Sequence, residues 1–233
     1  MTNSSKNWIA NLPKDRLIGE FSVWSADLLR LADDLARVDP HVDILHVDVA
    51  DGHFAPAMLF FPDLVASIRK ISSRPIHVHL MAADNILLSQ IEQFADAGSD
   101  LISIHLENET VAGAALELLD RRGIAAGMVL KVETPVSRIK KYVTRLNFLT
   151  LLGTAIGVKG QGLDERAGDR LREAKQLIDS SGATHRLVLA ADGGIREHTV
   201  PLLRQAGAET VVLGSLAFNA PSLEERMAWL HAL

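Results

Sequence analysis

The stretch Ile44-Leu45-His46-Val47-Asp48-Val49-Ala50-Asp51 is an apolar run that carries polar residues two positions apart. Because successive side chains of a β-strand point to opposite faces, His46 and Asp48 share one face and Leu45 and Val47 share the other. The apolar face suits packing against covering helices, so the polar pair would point into the interior of the sheet. Burying an imidazole and a carboxylate there is costly unless they are paired or coordinate a metal. The stretch therefore predicts a strand that carries a functional site on its inner face.

Short apolar, β-rich runs of this kind alternate along the chain with longer segments of helical period. The predicted strands are residues 18–23, 44–48, 76–80, 101–105, 125–130, 148–152, 186–190 and 210–213. The predicted helices are residues 27–37, 62–70, 87–97, 111–122, 136–142, 165–180, 199–206 and 223–231. Eight strand–helix pairs are the number that a closed parallel (β/α)8 barrel, or TIM barrel, requires. We therefore predict one α/β barrel domain over residues 18–233, preceded by an N-terminal extension over residues 1–17.

A doubly wound open sheet is the competing architecture. Such a sheet usually has fewer strands and a glycine-rich turn after the first strand. Here Ser22-Val23-Trp24-Ser25 follows the first strand, and the glycines gather after strands six to eight. The barrel is therefore favoured, and it predicts that catalytic residues lie at the carboxyl ends of strands, with phosphate held by the loops after strands seven and eight.

Composition excludes several other classes of protein. With 233 residues, 48% of them hydrophobic, the chain can bury a sizeable core, so a disordered or fibrous protein is excluded. A net charge of −5 argues against nucleic-acid and anionic-membrane binding. Cysteine is absent, which excludes disulfides and thiolate chemistry and suits the cytoplasm. No signal-peptide core or membrane-length apolar run occurs, so we expect a cytoplasmic protein that binds neither nucleic acid nor membrane.

Polar residues end two further predicted strands. In Ile76-His77-Val78-His79-Leu80 two histidines share one face, and the seventh strand runs into Asp192. Two imidazoles and two carboxylates from three strand ends would form a site for one divalent metal ion. A mixed nitrogen and oxygen set suits zinc, iron(II), manganese or cobalt better than calcium. A lone buried histidine is more often only hydrogen-bonded, but four such groups together favour a shared metal.

Glycines cluster after the last three strands. They are Gly153, Gly157, Gly160 and Gly162 after strand six, Gly193 and Gly194 after strand seven, and Gly214 before Ser215 after strand eight. Glycine lets backbone N–H groups approach a bound anion. One cluster alone would be an ordinary turn, but three on the expected face predict a phosphorylated substrate.

These motifs resemble those of the ribulose-phosphate 3-epimerase family. The matching stretches, in order, are Ser22-Val23-Trp24-Ser25-Ala26-Asp27, His46-Val47-Asp48-Val49-Ala50-Asp51-Gly52-His53-Phe54-Ala55-Pro56, His77-Val78-His79-Leu80-Met81, Asp192-Gly193-Gly194 and Gly214-Ser215. The resemblance covers nearly the whole chain from about residue 18. It implies a TIM barrel of the ribulose-phosphate binding type and an enzyme that inverts C3 of a ketose phosphate, such as D-ribulose 5-phosphate or D-xylulose 5-phosphate, through an enediolate.

The resemblance also implies roles for individual residues. The metal ligands would be His46, Asp48, His79 and Asp192, with Asp48 as proton acceptor and Asp192 as proton donor. The substrate contacts would be Ser22, His79, Gly157, Val158, Lys159, Gly160, Asp192, Gly193, Gly194, Gly214 and Ser215. The ligand would be a small phosphorylated sugar, and a homo-oligomer is left open.

The chain departs from the family pattern around the expected substrate. Ala50 and Leu152 replace methionines, Ala57 replaces an asparagine, and His77 stands where the family usually has Asp. The usual Asn-Pro-Gly-Phe-Gly-Gly-Gln run is replaced by Ala155-Ile156-Gly157-Val158-Lys159-Gly160-Gln161. The proton-transfer residues are all present, whereas the residues that would surround the sugar are altered.

Three other functions remain to be weighed. A decarboxylase of the orotidine-phosphate type would carry an Asp-x-Lys-x-x-Asp array, which does not occur here; a thiamine-phosphate synthase is a second phosphate-binding barrel. A non-catalytic barrel would be favoured by loss of any of the four expected ligands, yet all are present. The same epimerisation of a hexulose or tetrulose phosphate stays open. Of the remaining polar residues, we expect His105 to support the site or pack beside it, and Trp24 to pack locally.

Overall fold

The computed structural model describes residues 7–233, and eight of its strands close into a parallel barrel. The strands are β1 (Ile18–Ser22), β2 (Ile44–Asp51), β3 (Met58–Leu59), β4 (Ile76–Met81), β5 (Leu101–His105), β6 (Ala125–Leu130), β7 (Phe148–Leu152), β8 (Val188–Asp192) and β9 (Thr210–Leu213). Their order is β1-β9-β8-β7-β6-β5-β4-β2, and β1 pairs in parallel with β2 to complete the ring. The short β3 pairs antiparallel with the end of β2. The predicted (β/α)8 barrel is confirmed.

Helices connect the strands around the outside of the barrel. They are α1 (Asn7–Ala10), α2 (Leu31–Val38), α3 (Pro62–Ile71), α4 (Asp84–Asp96), α5 (Ala112–Arg122), α6 (Ala167–Ser180), α7 (Val200–Gln205), α8 (Ser215–Phe218) and α9 (Leu223–His231). Helix α9 begins as its sequence predicts, because the Ser222 hydroxyl accepts a hydrogen bond from the backbone N–H of Glu225 at 3.2 Å. No helix within residues 7–233 is long and apolar enough to cross a membrane.

The predicted helix over residues 136–142 is instead a 3₁₀ helix over Val136–Lys141, followed by a second one over Val143–Arg145. Val136 and Ile139 are its buried residues. A spacing of three residues brings side chains onto one face in a 3₁₀ helix, which has three residues per turn. The connection between β6 and β7 is therefore wound more tightly than the sequence pattern indicated.

Two strands differ from their predicted bounds in a way that moves functional residues. Strand β8 begins two residues late and ends at Asp192, so this residue is the last of the strand and pairs in register with Leu152. Strand β2 continues to Asp51 because Ala50 and Asp51 pair with β3. Asp48 therefore lies within a strand, in register with His79 of the neighbouring β4.

Side-chain alternation divides the core into an outer and an inner part. Leu45, Val47 and Val78 are buried in the large apolar cluster beneath the helices. His46 and His77 point to the interior of the barrel, as alternation predicts, and both are wholly buried. The polar face of β2 and β4 is thus enclosed by the ring of strands.

The segment before β1 closes the amino-terminal end of the barrel. Ile9 and Leu12 pack in one apolar cluster with the strand residue Phe148. The Arg186 guanidinium secures this segment by donating hydrogen bonds to the carbonyl oxygens of Leu12 and Pro13. Residues 1–6 of the predicted N-terminal extension lie outside the described residues. The boundary between residues 17 and 18 stays a prediction.

Candidate active site

Strands β2, β4 and β8 bring two imidazoles and two carboxylates together at the carboxyl end of the barrel. Asp48 and His79 are register partners on neighbouring strands, and His79 Nδ1 lies 3.1 Å from Asp48 Oδ1. His46 Nε2 lies 3.3 Å from the same oxygen. Asp192 Oδ2 lies 3.6 Å from His79 Nδ1 and 4.0 Å from His46 Nε2. One ligand atom from each of these four residues lies within 4.8 Å of every other, so the four can hold a single metal ion.

One of these atoms has no hydrogen-bond partner in the protein. His46 Nε2 is buried and makes no hydrogen bond, although it faces the carboxylates of Asp48 and Asp192. Buried polar atoms are rarely left unsatisfied in folded proteins. Two imidazole nitrogens with two carboxylate oxygens match the mixed donor set that zinc, iron(II), manganese and cobalt accept. The residues present therefore fit the divalent ion that the sequence predicted.

The pKa values of the two carboxyl groups are shifted in opposite directions. Burial opposes ionisation of Asp48, but attraction by the neighbouring His46 and His79 imidazoles outweighs it and holds the pKa of Asp48 below its ordinary value. Burial dominates for Asp192 and, with repulsion from Asp48, raises the pKa of Asp192 to about 6 against the attraction of His46 and His79. Asp48 is therefore ionised at neutral pH, while Asp192 titrates just below it. Carboxyl groups whose pKa values are driven apart in this way suit an acid and a base.

A cavity of about 350 Å³ opens above the four residues. All the predicted substrate contacts line it, namely Ser22, His79, Gly157, Val158, Lys159, Gly160, Asp192, Gly193, Gly194, Gly214 and Ser215. Ser22 also donates a hydrogen bond from its hydroxyl to Asp48 Oδ2 at 2.9 Å. His46 lies beneath the cavity and does not line it. The structure brings the predicted residues together, while their individual roles stay predictions.

The turn after β8 requires glycine at both of its first positions. Gly193 and Gly194 have φ values of +85° and +70°, in the left-handed region that side chains disfavour. A Cβ atom at Gly193 would come within 2.3 Å of the Thr154 hydroxyl, and one at Gly194 within 2.8 Å of the Leu163 backbone. These contacts hold the loops after β7 and β8 close together, with the Gly193 and Gly194 backbone on the cavity wall.

Lys159 extends across the mouth of the cavity. Its ammonium group donates a hydrogen bond to the Trp24 carbonyl oxygen at 2.6 Å and lies 4.5 Å from the centre of the Trp24 ring. Partial burial lowers the pKa of Lys159. Trp24 was expected to pack locally, and it does so against this lysine while also lining the cavity. The two residues join the glycine-rich loop to the turn after β1.

A sequence model of the ribulose-phosphate 3 epimerase family matches residues 19–218. The chain belongs to this family. The curated relatives include the ribulose-phosphate 3-epimerases of Bacillus subtilis, 32% identical over 85% of this chain and 90% of the relative, and of Aquifex aeolicus, 35% identical over 85% and 87%. The Escherichia coli enzyme is 33% identical over 88% of this chain and 90% of its own length. The protein is therefore an epimerase of carbohydrate metabolism.

Solved structures of other enzymes share the architecture of this epimerase. Orotidine 5'-phosphate decarboxylase from Pyrococcus horikoshii superposes with a TM-score of 0.64 at 14% identity, covering 91% of this chain and 97% of that one. A 3-hexulose-6-phosphate synthase superposes with a TM-score of 0.63 at 17% identity, covering 93% and 96%. At these identities the likeness supports the TIM-barrel fold alone.

Sequence reasoning missed one buried charge of the epimerase. Glu20, in the middle of β1, is wholly buried, and its Oε2 accepts hydrogen bonds from His46 Nδ1 at 2.9 Å and His77 Nδ1 at 2.6 Å. Burial opposes its ionisation, but attraction by His77 and the two imidazole hydrogen bonds outweigh burial and hold the pKa of Glu20 well below its ordinary value. A signal was available, because strand alternation places Glu20 on the same face as Ser22.

His105 supports the site from the side of β5. Its Nε2 lies 2.8 Å from His79 Nε2, and its Nδ1 lies 3.0 Å from Glu107 Oε2. Burial lowers the pKa of His105 to about 4 despite the hydrogen bond to Glu107. His105 is therefore neutral at physiological pH and can pair with His79 without adding charge, which fits the expected supporting role.

Proposed function

We propose that this protein inverts C3 of a ketose phosphate, with D-ribulose 5-phosphate and D-xylulose 5-phosphate as the first candidate pair. The observation that carries the proposal is the convergence of Asp48 and Asp192, with His46 and His79, at the base of the cavity. Inversion next to a ketone requires removal of a proton from one face of the carbon and return of a proton to the other. Two carboxyl groups at the base of one cavity can supply both steps.

The two carboxylates would take opposite roles. Asp48, ionised at neutral pH, accepts the C3 proton, and the Ser22 hydroxyl keeps its Oδ2 oriented. Asp192, with its raised pKa, returns a proton to the resulting enediolate. The two residues enter from β2 and β8, which β1 and β9 separate in the barrel, so they approach the substrate from different sides. The product is the epimer, and the reverse reaction exchanges the two roles.

His46, Asp48, His79 and Asp192 would hold one divalent ion. When bound, such an ion supplies Lewis-acid polarisation of the ketone and stabilises negative charge that develops on the substrate oxygens. The orphaned His46 Nε2 and the mixed donor set support this assignment.

The glycine-rich rim would hold the phosphate group. Gly193, Gly194 and Gly214 line the cavity with backbone that a small anion can approach. Family membership supports a phosphorylated sugar as the substrate. Charge complementarity is modest, because Lys159 and Arg196 are the lysine and arginine side chains that line this cavity.

A different ketose phosphate is the second candidate. Trp24 and Lys159 form part of the cavity wall and contact each other, and Lys159 stands where the family usually carries a glycine. A changed wall can alter which chain length fits while the proton-transfer residues stay the same. A hexulose or tetrulose phosphate would then replace the pentulose phosphate.

An epimerisation assay on a panel of ketose phosphates of four, five and six carbons tests both candidates. Metal-replete protein is expected to show its highest kcat/KM with D-ribulose 5-phosphate, with proton exchange at C3. A higher value with a tetrulose or hexulose phosphate would favour the second candidate. Absence of epimerisation with every member of the panel would refute the proposal.

Lys159 is expected to strengthen phosphate binding. Hydrogen bonds to charged groups contribute about 1.5–3 kcal/mol when shielded and much less in water. Lys159→Ala should therefore raise KM roughly tenfold with little change in kcat, because Lys159 is exposed and water partly screens its contact with the phosphate. Lys140→Ala, which removes an exposed lysine outside the cavity, is the matched control. An unchanged KM for Lys159→Ala at low salt would show that backbone amides alone hold the phosphate.

A further inference from the structure

Glu20 makes three contacts at the centre of the barrel, and none is with solvent. Its Oε2 accepts hydrogen bonds from His46 and His77, and its Oε1 lies 3.3 Å from the Thr210 hydroxyl, which can donate to it. A carboxylate surrounded by donors can only accept, so each of the two histidines must place a proton on its Nδ1. Each imidazole therefore directs its Nδ1–H away from the cavity and towards Glu20.

For His46 this arrangement decides which nitrogen is free. With the proton on Nδ1, the lone pair of Nε2 is directed at the gap between Asp48 and Asp192. Without Glu20, the proton would be attracted to Nε2, because Asp48 Oδ1 lies 3.3 Å from that atom. A divalent ion would then have to displace a proton that already satisfies the Asp48 carboxylate.

We propose that Glu20 is a positioning residue, which holds His46 in the Nδ1–H tautomer and thereby raises the affinity of the site for a divalent ion. The inference rests on the proposed function, in which His46 is one of four ligands. Hydrogen bonds that ligating histidines donate to carboxylates fix ring orientation and tautomer in this way. Glu20 touches neither the cavity nor the reacting atoms.

His77 completes the arrangement by holding Glu20 in place. Its Nδ1 donates to Glu20 Oε2, and its Nε2 accepts a hydrogen bond from the Ser103 hydroxyl at 2.7 Å. Its ring packs edge-on against that of His46, with ring centres 4.7 Å apart. His77 thus has a structural reason to be polar although it is not one of the four predicted ligands. It holds Glu20 Oε2 in place, and this oxygen in turn orients the His46 ring.

Glu20→Gln tests the proposal because it removes the charge and keeps the shape. Metal-free wild type and variant are titrated with zinc or cobalt(II) in competition with a chromophoric chelator. We expect the dissociation constant of the variant to rise about 10- to 100-fold, the range that loss of such a supporting contact causes. Thr150→Val is the matched control, because it removes a buried hydroxyl that has no partner and does not line the cavity. It should leave the dissociation constant unchanged within about twofold.

The outcomes separate this inference from the proposed function. A wild-type protein that binds no ion would overturn the ion assignment in the proposed function. A wild type that binds one ion and a Glu20→Gln variant that binds it equally tightly would overturn the inference alone. If the variant does not fold, nitrogen-15 spectra of histidine-labelled, metal-free wild type, recorded at a pH where the imidazoles are neutral, decide the matter. We expect His46 to carry its proton on Nδ1, and a proton on Nε2 would refute the role of Glu20.

Discussion

Replacing Asp192 with Asn is expected to lower kcat for epimerisation by about a thousandfold or more, within the range that general acid–base groups contribute. The amide cannot return a proton to the enediolate, while Asp48 can still remove one. The variant should therefore exchange the C3 hydrogen of one epimer with deuterated water without inverting that carbon. Mass spectrometry of the recovered sugar phosphate measures the exchange, and a coupled assay measures the inversion.

Asp48→Asn is the matched partner of this experiment. It should also abolish inversion, but exchange should now occur in the opposite epimer, because the remaining carboxyl group serves the other face. Both residues are also proposed ligands, so the metal content of each variant must be measured alongside its activity. Inversion by Asp192→Asn at a near wild-type rate would refute the donor assignment.

Removal of the divalent ion is expected to lower kcat/KM about a thousandfold. A Lewis acid supplies several kcal/mol of stabilisation to charge developing on a substrate oxygen, and each 1.4 kcal/mol corresponds to a factor of ten. Elemental analysis before and after chelation, followed by reconstitution with zinc, iron(II), manganese or cobalt, measures the effect. Activity should return in proportion to the ion bound.

A substitution separates loss of the ion from damage by the chelator. His46→Gln removes the nitrogen that has no partner in the protein and should weaken ion binding and activity together. The Thr150→Val control should respond to chelation and reconstitution as wild type does. Full activity in rigorously metal-free wild type would contradict the prediction.

Much of the fold could be predicted from the alternation of apolar runs with segments of helical period along the sequence. All eight barrel strands were predicted, because apolar runs in parallel strands are buried on both faces and recur between helical segments. The two-residue strand Met58–Leu59 was missed because so short a segment has no periodicity. The predicted start of β8 was two residues too early because Arg186 directly precedes an apolar run. In the structure the strand begins at Val188, and the Arg186 side chain binds the N-terminal segment instead.

The site was predictable where one strand carried two polar residues. His46 with Asp48, and His77 with His79, share a face by simple alternation. The role of His77 could not be found in this way, because it depends on a carboxylate from a strand 57 positions earlier in the chain. The contact between Trp24 and Lys159 joins residues 135 positions apart and likewise could not be predicted from the sequence. Contacts of this kind depend on how the strands close into a barrel, which brings residues far apart in the chain together.

The apolar packing of Ile9, Leu12 and Phe148 beneath the site gives the barrel a floor. An ion and a sugar phosphate that bind at the four proposed ligands would therefore enter and leave through the cavity at the carboxyl ends of the strands. Under the proposed function the ion would have to bind before the sugar phosphate, because both would use this opening. A bound sugar phosphate would then block exchange of the ion until the sugar dissociates.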